Sequence, residues 1–434
     1  PGPDGQPLLA SLAEKLVAIL LAKAGNLVPG GGLWLNTQRP EWNDANNALV
    51  GWGLSLVSLA ELRRLLVFLR DLPCLDAALS LPAESAAALS AFVGIMAKTP
   101  PAAVDDPRAR KAWMDAVGPV MDAWRGARYA LADRAALLAE AGESVPEPDR
   151  ALAPEGLLRD FVEGLSALVE ATLRANRRSD GLWHSYNLMR PGGGVVEVDR
   201  LFLMLEGQVA ILGSGLLSPE ESASLLCALA SSELYVGDRR SYILYPDRVL
   251  PGFLERNVLD AEALALPLVK RLLAGGGGGV LERQADGLVR FAPAMANRHD
   301  VERALAAESE SDRAALAGHY ERLLRHREFT GRSGTMFGFE GLGSIYWHMV
   351  AKLLLAAQEA CFAAQAAASP VLPELIESYR AIQAGLGYRK TAAEYGAFPA
   401  DPYSHTPSGG GAQQPGMTGR SEEHTSELQS RGLI

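Results

Sequence analysis

The chain has 434 residues, 48% hydrophobic and 21% charged, with a formal net charge of −10. That balance describes a globular protein with room for a deep core and one to three domains. It excludes a general nucleic-acid or membrane-surface binder, since both need a positive face, and no apolar run reaches the roughly 18 residues of a bilayer span.

Cys74, Cys227 and Cys361 are odd in number and far apart, with neither metal nor disulfide spacing. Their apolar, helix-like surroundings predict buried free thiols. The compartment stays open, with the cytoplasm slightly favoured. The chain given starts at Pro1, and no signal peptide is expected within it. Residues 420–430, RSEEHTSELQS, resemble a translated sequencing-library adapter, so 420–434 is expected to be a disordered, non-native tail. Residues 1–419 are expected to form one helical domain, the C-terminal part of a longer protein whose N-terminal portion is missing.

In chain order, Ser11–Ala24 places Leu12, Leu16, Ile19 and Leu20 on one helical face. Three glycines, Gly30–Gly32, follow. Asn46–Leu69 is apolar nearly all round and predicts a buried helix. Helices are predicted over Pro82–Lys98, Pro107–Ala141 (long enough to break once), Glu155–Arg177, Leu201–Leu212 and Pro219–Ser232. The last has Ser218 as its cap and Pro219 in the first position. Asp260–Ala274 reads as a helix ending in five glycines, and GVLERQADGLVRFA as a short hairpin turning at Asp-Gly. Helices over Asp300–Arg327, Ile345–Ala368 and Pro373–Gly385 precede a loop-like stretch, Gly387–Gly419. No βαβ alternation occurs, so the expected class is mainly α: an array of long paired helices with one small hairpin.

Four polar loops interrupt the helices. TQRPEWNDANN offers Arg39, Glu41, Trp42, Asn43 and Asp44 where one capping residue would suffice. SDGLWHSYNLM carries Trp183, His184 and Tyr186. HREFTGRSGTMFGFEGLGS carries Thr330, Gly331, Arg332, Ser333 and Glu340. ADPYSHTPSGGGAQQPGMTG carries Tyr403, His405, Gln413 and Gln414. Aromatic rings beside amides, carboxylates and Arg suit sugars, whose faces stack and whose edges hydrogen-bond, and loops are where a rigid scaffold carries such groups. A carboxylic acid at Asp44 beside apolar Trp42 can hold its proton for general acid work; the same residue can cap a helix starting at Asn46. Glu340 is a candidate second carboxylate or a cap. Inverting hydrolysis needs two carboxyls roughly 6.5–9.5 Å apart. Gly331 and Arg332 can hold an anion, although the segment lacks a P-loop ending. His348 reads as a satisfied core histidine. No metal-ligand spacing appears, and neither a metal nor another cofactor is expected.

PEWNDANN resembles the DWND segment of the cellobiose-phosphorylase family of six-hairpin toroid glycosidases, with Glu41 where that family has Asp. FTGRSGTMF resembles its later TG-x-(A/S)-x-W-M stretch, with Thr335 in place of Trp. The resemblance implies a toroid of paired helices with Asp44 as general acid. It implies a phosphate site at Thr330 and Gly331, with Ser333 nearby, and inorganic phosphate as co-substrate. The partner is then an oligosaccharide or glycoside. Hydrolysis and phosphorolysis both remain open, and a non-catalytic helical scaffold or sugar-binding module is the alternative.

Overall fold

The structure, a computed structural model, describes residues 9–35, 51–143, 148–237, 240–244, 246, 253–324 and 347–386, and the backbone of 398–400 and 416–418. It is mostly helical with a few small sheets. Two compact units divide the chain: Pro1–Asn36, Gly51–Ala230 and Lys352–Arg380 form the first, Thr37–Val50, Ser231–Ala351 and Ala381–Ile434 the second.

In the first unit, α1 (Leu12–Ala24) starts in a capping box: Glu14 N–H donates to Ser11 Oγ at 3.1 Å and Ser11 N–H to Glu14 Oε2 at 2.7 Å. Strands β1 (Leu27–Val28), β2 (Gly32–Trp34) and β3 (Gly53–Ser55) follow, then α2 (Leu56–Arg70). Strand β4 (Leu79–Pro82) pairs antiparallel with β5 (Arg150–Ala153), across α3 (Ala83–Met96) and α4 (Pro107–Glu140). Next come α5 (Leu157–Arg174), β6 (Tyr186–Gly192), β7 (Val195–Arg200), α6 (Leu205–Gly213) and α7 (Pro219–Ala230). The main sheet is antiparallel throughout, in the order β1-β2-β3-β6-β7. Helix α5 buries Phe161, Leu165, Leu168, Val169 and Leu173, a stripe at helical spacing. Phe161 meets Phe92 of α3 edge-on at 5.8 Å, and Phe92 meets Trp113 of α4 at 6.3 Å.

The second unit holds β8 (Tyr235–Val236), β9 (Ser241–Tyr242), α8 (Phe253–Arg256), α9 (Ala261–Ala265), α10 (Pro267–Ala274), the hairpin β10 (Leu281–Arg283) and β11 (Val289–Phe291), α11 (Arg298–Ala304) and α12 (Glu310–Leu324). Its core gathers Leu259, Val269, Phe291, Val301, Leu316 and Tyr320. Phe291 and Tyr320 stack edge to face at 4.8 Å, and the Tyr320 hydroxyl donates to Met295 O at 2.7 Å. Helices α13 (Trp347–Ala366) and α14 (Leu372–Gly385) and the paired strands β12 (Phe398–Ala400) and β13 (Gly416–Thr418) complete the described chain.

The hairpin at Asp-Gly and the Ser218 cap are as expected: Glu221 N–H donates to Ser218 Oγ at 3.1 Å. Other expectations are corrected. The sheet is larger than one small hairpin, because β1, β2 and β3 are two or three residues long and leave no alternating signature. The apolar helix does not run from Asn46 to Leu69, because Gly53–Ser55 is a strand and the helix starts at Leu56. Nor is it buried all round, since Phe68 lies on its exposed side. Residues 107–140 make one continuous helix with Pro119 inside it. The helix expected over Asp260–Ala274 breaks where Pro267 cannot donate backward. The one expected over Asp300–Arg327 restarts at Ser309, whose Oγ accepts from Asp312 N–H at 3.1 Å. Cys227 is exposed and Cys361 half-buried, so neither is a core thiol; the Cys74 side chain lies outside the described residues. His348 is exposed rather than a core histidine. Among the described residues no helix is long and apolar enough to cross a membrane.

Candidate functional site

Arg39, Glu41, Trp42, Asn43 and Asp44 lie outside the described residues, as do Thr330, Gly331, Arg332, Ser333, Glu340, Tyr403, His405, Gln413 and Gln414. What is described of the first loop is its stem. Leu35 N–H donates to Gly53 O at 2.8 Å, Gly51 N–H to Leu35 O at 3.0 Å, and the Trp34 indole N–H to Gly51 O at 3.0 Å. Gly51 sits at φ +88°, where a side chain would be strained. The two ends of the loop are therefore pinned together. Beyond the stem, Ser55 caps α2 by accepting from Ser58 N–H at 3.0 Å. The apolar helix thus has its own cap, and capping α2 does not explain the polar cluster at Arg39–Asp44.

The second loop meets β3 at its other end, since the first loop's stem lies beside Gly53 and the second loop enters beside Ser55. Strand β6 begins at Tyr186, which pairs with Ser55 of β3. Leu56 N–H donates to Ser185 O at 3.0 Å and Met189 N–H to Trp52 O at 2.8 Å. Two of the four polar loops therefore leave neighbouring strands of one sheet. The second loop turns at Asp180-Gly181, with Gly181 at φ +84°. Asp180 Oδ1 accepts from Leu182 N–H at 3.1 Å, and its carboxylate accepts from the Arg178 guanidinium at 2.8–3.1 Å, chiefly the bond that holds its pKa below the usual range. Trp183 is only 2% exposed and belongs to the core. Its backbone is gripped by the Gln208 amide, which accepts from Trp183 N–H at 2.9 Å and donates to Trp183 O at 2.7 Å.

His184 is half-buried, with Nδ1 2.8 Å from Leu201 O. A carbonyl can only accept, so Nδ1 carries the proton and Nε2 is left as the acceptor. Burial, aided by the positive charges of Arg178 and Arg200, holds its pKa below the usual histidine range despite that bond. The Tyr186 hydroxyl donates to Glu206 Oε2 at 2.7 Å. Glu206 is 4% exposed in the first turn of α6, where the helix N-terminus favours a carboxylate. Ser185 Oγ accepts from Gly207 N–H at 2.8 Å.

Beneath these groups a buried polar network fixes the glycine turn ahead of β2. Arg110, 3% exposed, donates to Pro29 O and Val196 O at 2.6 Å each and to Val104 O at 3.0 Å. Asn176 Nδ2 donates to Gly30 O at 2.9 Å. Asn187 Nδ2 donates to Gly31 O at 2.7 Å and to Asn176 Oδ1 at 2.9 Å. Gly30 stands at φ +70°, and a Cβ there would meet the Arg110 guanidinium at 2.9 Å. Thr172 joins this network, its Oγ1 accepting from Gly30 N–H at 3.1 Å. Sequence reasoning missed Arg110, Asn176, Asn187, Glu206 and Gln208. Their signal was a charge or amide inside an apolar run, as in MLEGQVAIL.

The described part is thus mostly helical, and its small sheet receives the stem of the first polar loop at one end of β3 and the second polar loop at the other. Residues 250–327, within the second unit, match the family described as GH149 phosphorylase insertion domain 2. The match supports a glycoside-phosphorylase-like relationship for the chain. No curated protein matches the chain.

Proposed function

We propose that the chain acts on a glycosidic bond by phosphorolysis, with Asp44 as general acid and the helices arranged as a six-hairpin toroid. The observation that carries this reading is the match of residues 250–327 to a phosphorylase insertion domain. It favours phosphate over water as the nucleophile. One feature of the first unit supports Asp44: the α2 cap is Ser55, so the motif loop is not needed to cap that helix.

A phosphate oxygen attacks the anomeric carbon as the bond to the leaving oxygen breaks, and Asp44 gives its proton to that oxygen. The products are a sugar 1-phosphate of inverted configuration and the freed hydroxyl of the leaving sugar. Thr330, Gly331, Arg332 and Ser333, with His405, hold the phosphate; the Arg332 charge offsets the charges of the incoming anion. Arg39, Glu41, Trp42, Asn43, His184, Tyr186, Tyr403, Gln413 and Gln414 contact the sugar, and buried Trp183 anchors the second loop.

The test is a panel of glycosides incubated with and without inorganic phosphate, with products resolved by phosphorus NMR. A sugar 1-phosphate formed only with phosphate is expected. Asp44→Asn should lower its rate by about 10²–10⁴-fold with the thermal melt unchanged. Free sugar formed without phosphate would instead indicate hydrolysis with Glu340 activating water. Full activity in Asp44→Asn would remove the general-acid assignment.

A further inference from the structure

A ladder of hydrogen bonds zips the first turn of α6 onto the strand that carries His184 and Tyr186. The Gln208 amide holds both the N–H and the carbonyl of Trp183, at 2.9 and 2.7 Å. Ser185 Oγ accepts from Gly207 N–H at 2.8 Å, and the Tyr186 hydroxyl donates to Glu206 Oε2 at 2.7 Å. Gly207 makes the close approach possible: a Cβ there would collide with Ser185 Oγ and meet His184 O at 3.0 Å.

Gln208, Gly207 and Ser185 already fix the helix on the strand without Glu206. Yet Glu206 is a carboxylate at 4% exposure. Burying a charge is costly, and an apolar side chain of similar volume in its place is often neutral or stabilising. What Glu206 does that Leu or Met could not is take the phenolic proton of Tyr186.

A phenol has one proton. Here that proton is committed to the carboxylate, so every further partner of Tyr186 Oη has to donate. His184 reaches the same state by another bond: its Nδ1 proton goes to Leu201 O, and Nε2 can only accept. His184 and Tyr186 are half-buried and alternate with buried Trp183, Ser185 and Asn187. They therefore lie on one face of the strand, with their Cα atoms about 7 Å apart.

We propose that Glu206 is a positioning residue. By holding the Tyr186 proton it fixes Tyr186 Oη as an acceptor, and the face then selects a ligand that presents hydroxyl donors to both His184 and Tyr186. The assignment rests on the glycoside reading above and narrows it to the hydroxyls that this strand reads.

The experiment is calorimetric titration of the whole protein with cellobiose, laminaribiose and maltose, with phosphate-dependent turnover of each measured in parallel. Glu206→Leu, Glu206→Gln, Tyr186→Phe and the Glu206→Leu/Tyr186→Phe double variant are compared with the wild type. The wild type is expected to bind at least one disaccharide. Glu206→Leu should weaken that binding and raise KM about ten-fold, with kcat nearly unchanged and the thermal melt not lowered. Glu206→Gln keeps an acceptor oxygen at that place and should recover most of the loss. The double variant should be no weaker than Tyr186→Phe alone, because Glu206 acts through Tyr186. A merely structural role would instead lower the melt and leave the KM of the folded protein unmoved. Glu206→Ala serves in the same assays if Glu206→Leu does not fold. The proposal is overturned if no disaccharide binds, if removing the carboxylate leaves binding as in the wild type, or if the two losses add in the double variant. Turnover with silent Glu206 variants rejects the positioning role alone, whereas Glu206-dependent binding without turnover rejects the reaction alone.

Discussion

Arg110 shows how one residue can hold a glycine turn in place. Its guanidinium serves three backbone carbonyls from different segments while 3% exposed. Burial lowers its pKa, opposed by Asp105 and Glu197, and arginine remains charged. Arg110→Ala would leave those carbonyls buried and unpaired, and should cost about 3–5 kcal/mol, read from urea unfolding. A loss under about 1 kcal/mol would mean the turn has other support. His184 gives a pH prediction. Its folded pKa lies below the usual 6.5, so in the window between the two values the unfolded chain binds more protons. Its contribution to stability is full above 6.5 and is lost as the pH falls through the lowered folded value. His184→Gln should therefore flatten the acid side of the stability profile below about pH 6.5. An acid limb identical to that of the wild type would show that other groups govern it.

At the scale of elements, Ser55 is the telling position. It ends β3 and caps α2 with one hydroxyl. Ser55→Ala should cost about 1 kcal/mol, seen as a lower urea midpoint with an unchanged slope; no shift would return the capping role to the polar cluster upstream. The sequence pattern disclosed the helices whose apolar spacing is regular, such as α1 and α5, and the hairpin announced by Asp-Gly. It hid β3, because GLS reads as part of the apolar run that continues into α2. It also hid the pairing of β3 with β6, a contact about 130 residues distant in sequence that no local pattern encodes. The polar loops themselves were legible as a surplus over capping needs. Which of them adjoin the same sheet was not, because that depends on strand order. Buried Glu206 was missed since a carboxylate in an apolar helix start reads as solvated until its partner, the Tyr186 hydroxyl, is seen.

At the scale of the whole molecule, the matched segment has the anatomy of an independent folding unit. Residues 250–327 enclose the core from Leu259 to Leu324. Their polar groups are also satisfied locally: Asn257 donates to Phe291 O and accepts from Phe291 N–H, both at 3.1 Å, and Arg256 Nε donates to Leu323 O at 3.0 Å. These bonds tie the first helix of the segment to its hairpin and its last helix, closing the ends onto one core. Chains of roughly 60 residues and above can fold alone when such a core is present. The isolated segment should therefore be soluble and melt cooperatively, with a single transition by circular dichroism. Phe291→Ala, which deletes the ring stacked on Tyr320, should cost it about 3–5 kcal/mol. A broad, featureless melt of the wild-type segment would show that its stability is borrowed from the rest of the chain. The family match would then mark a sequence likeness rather than an inserted domain.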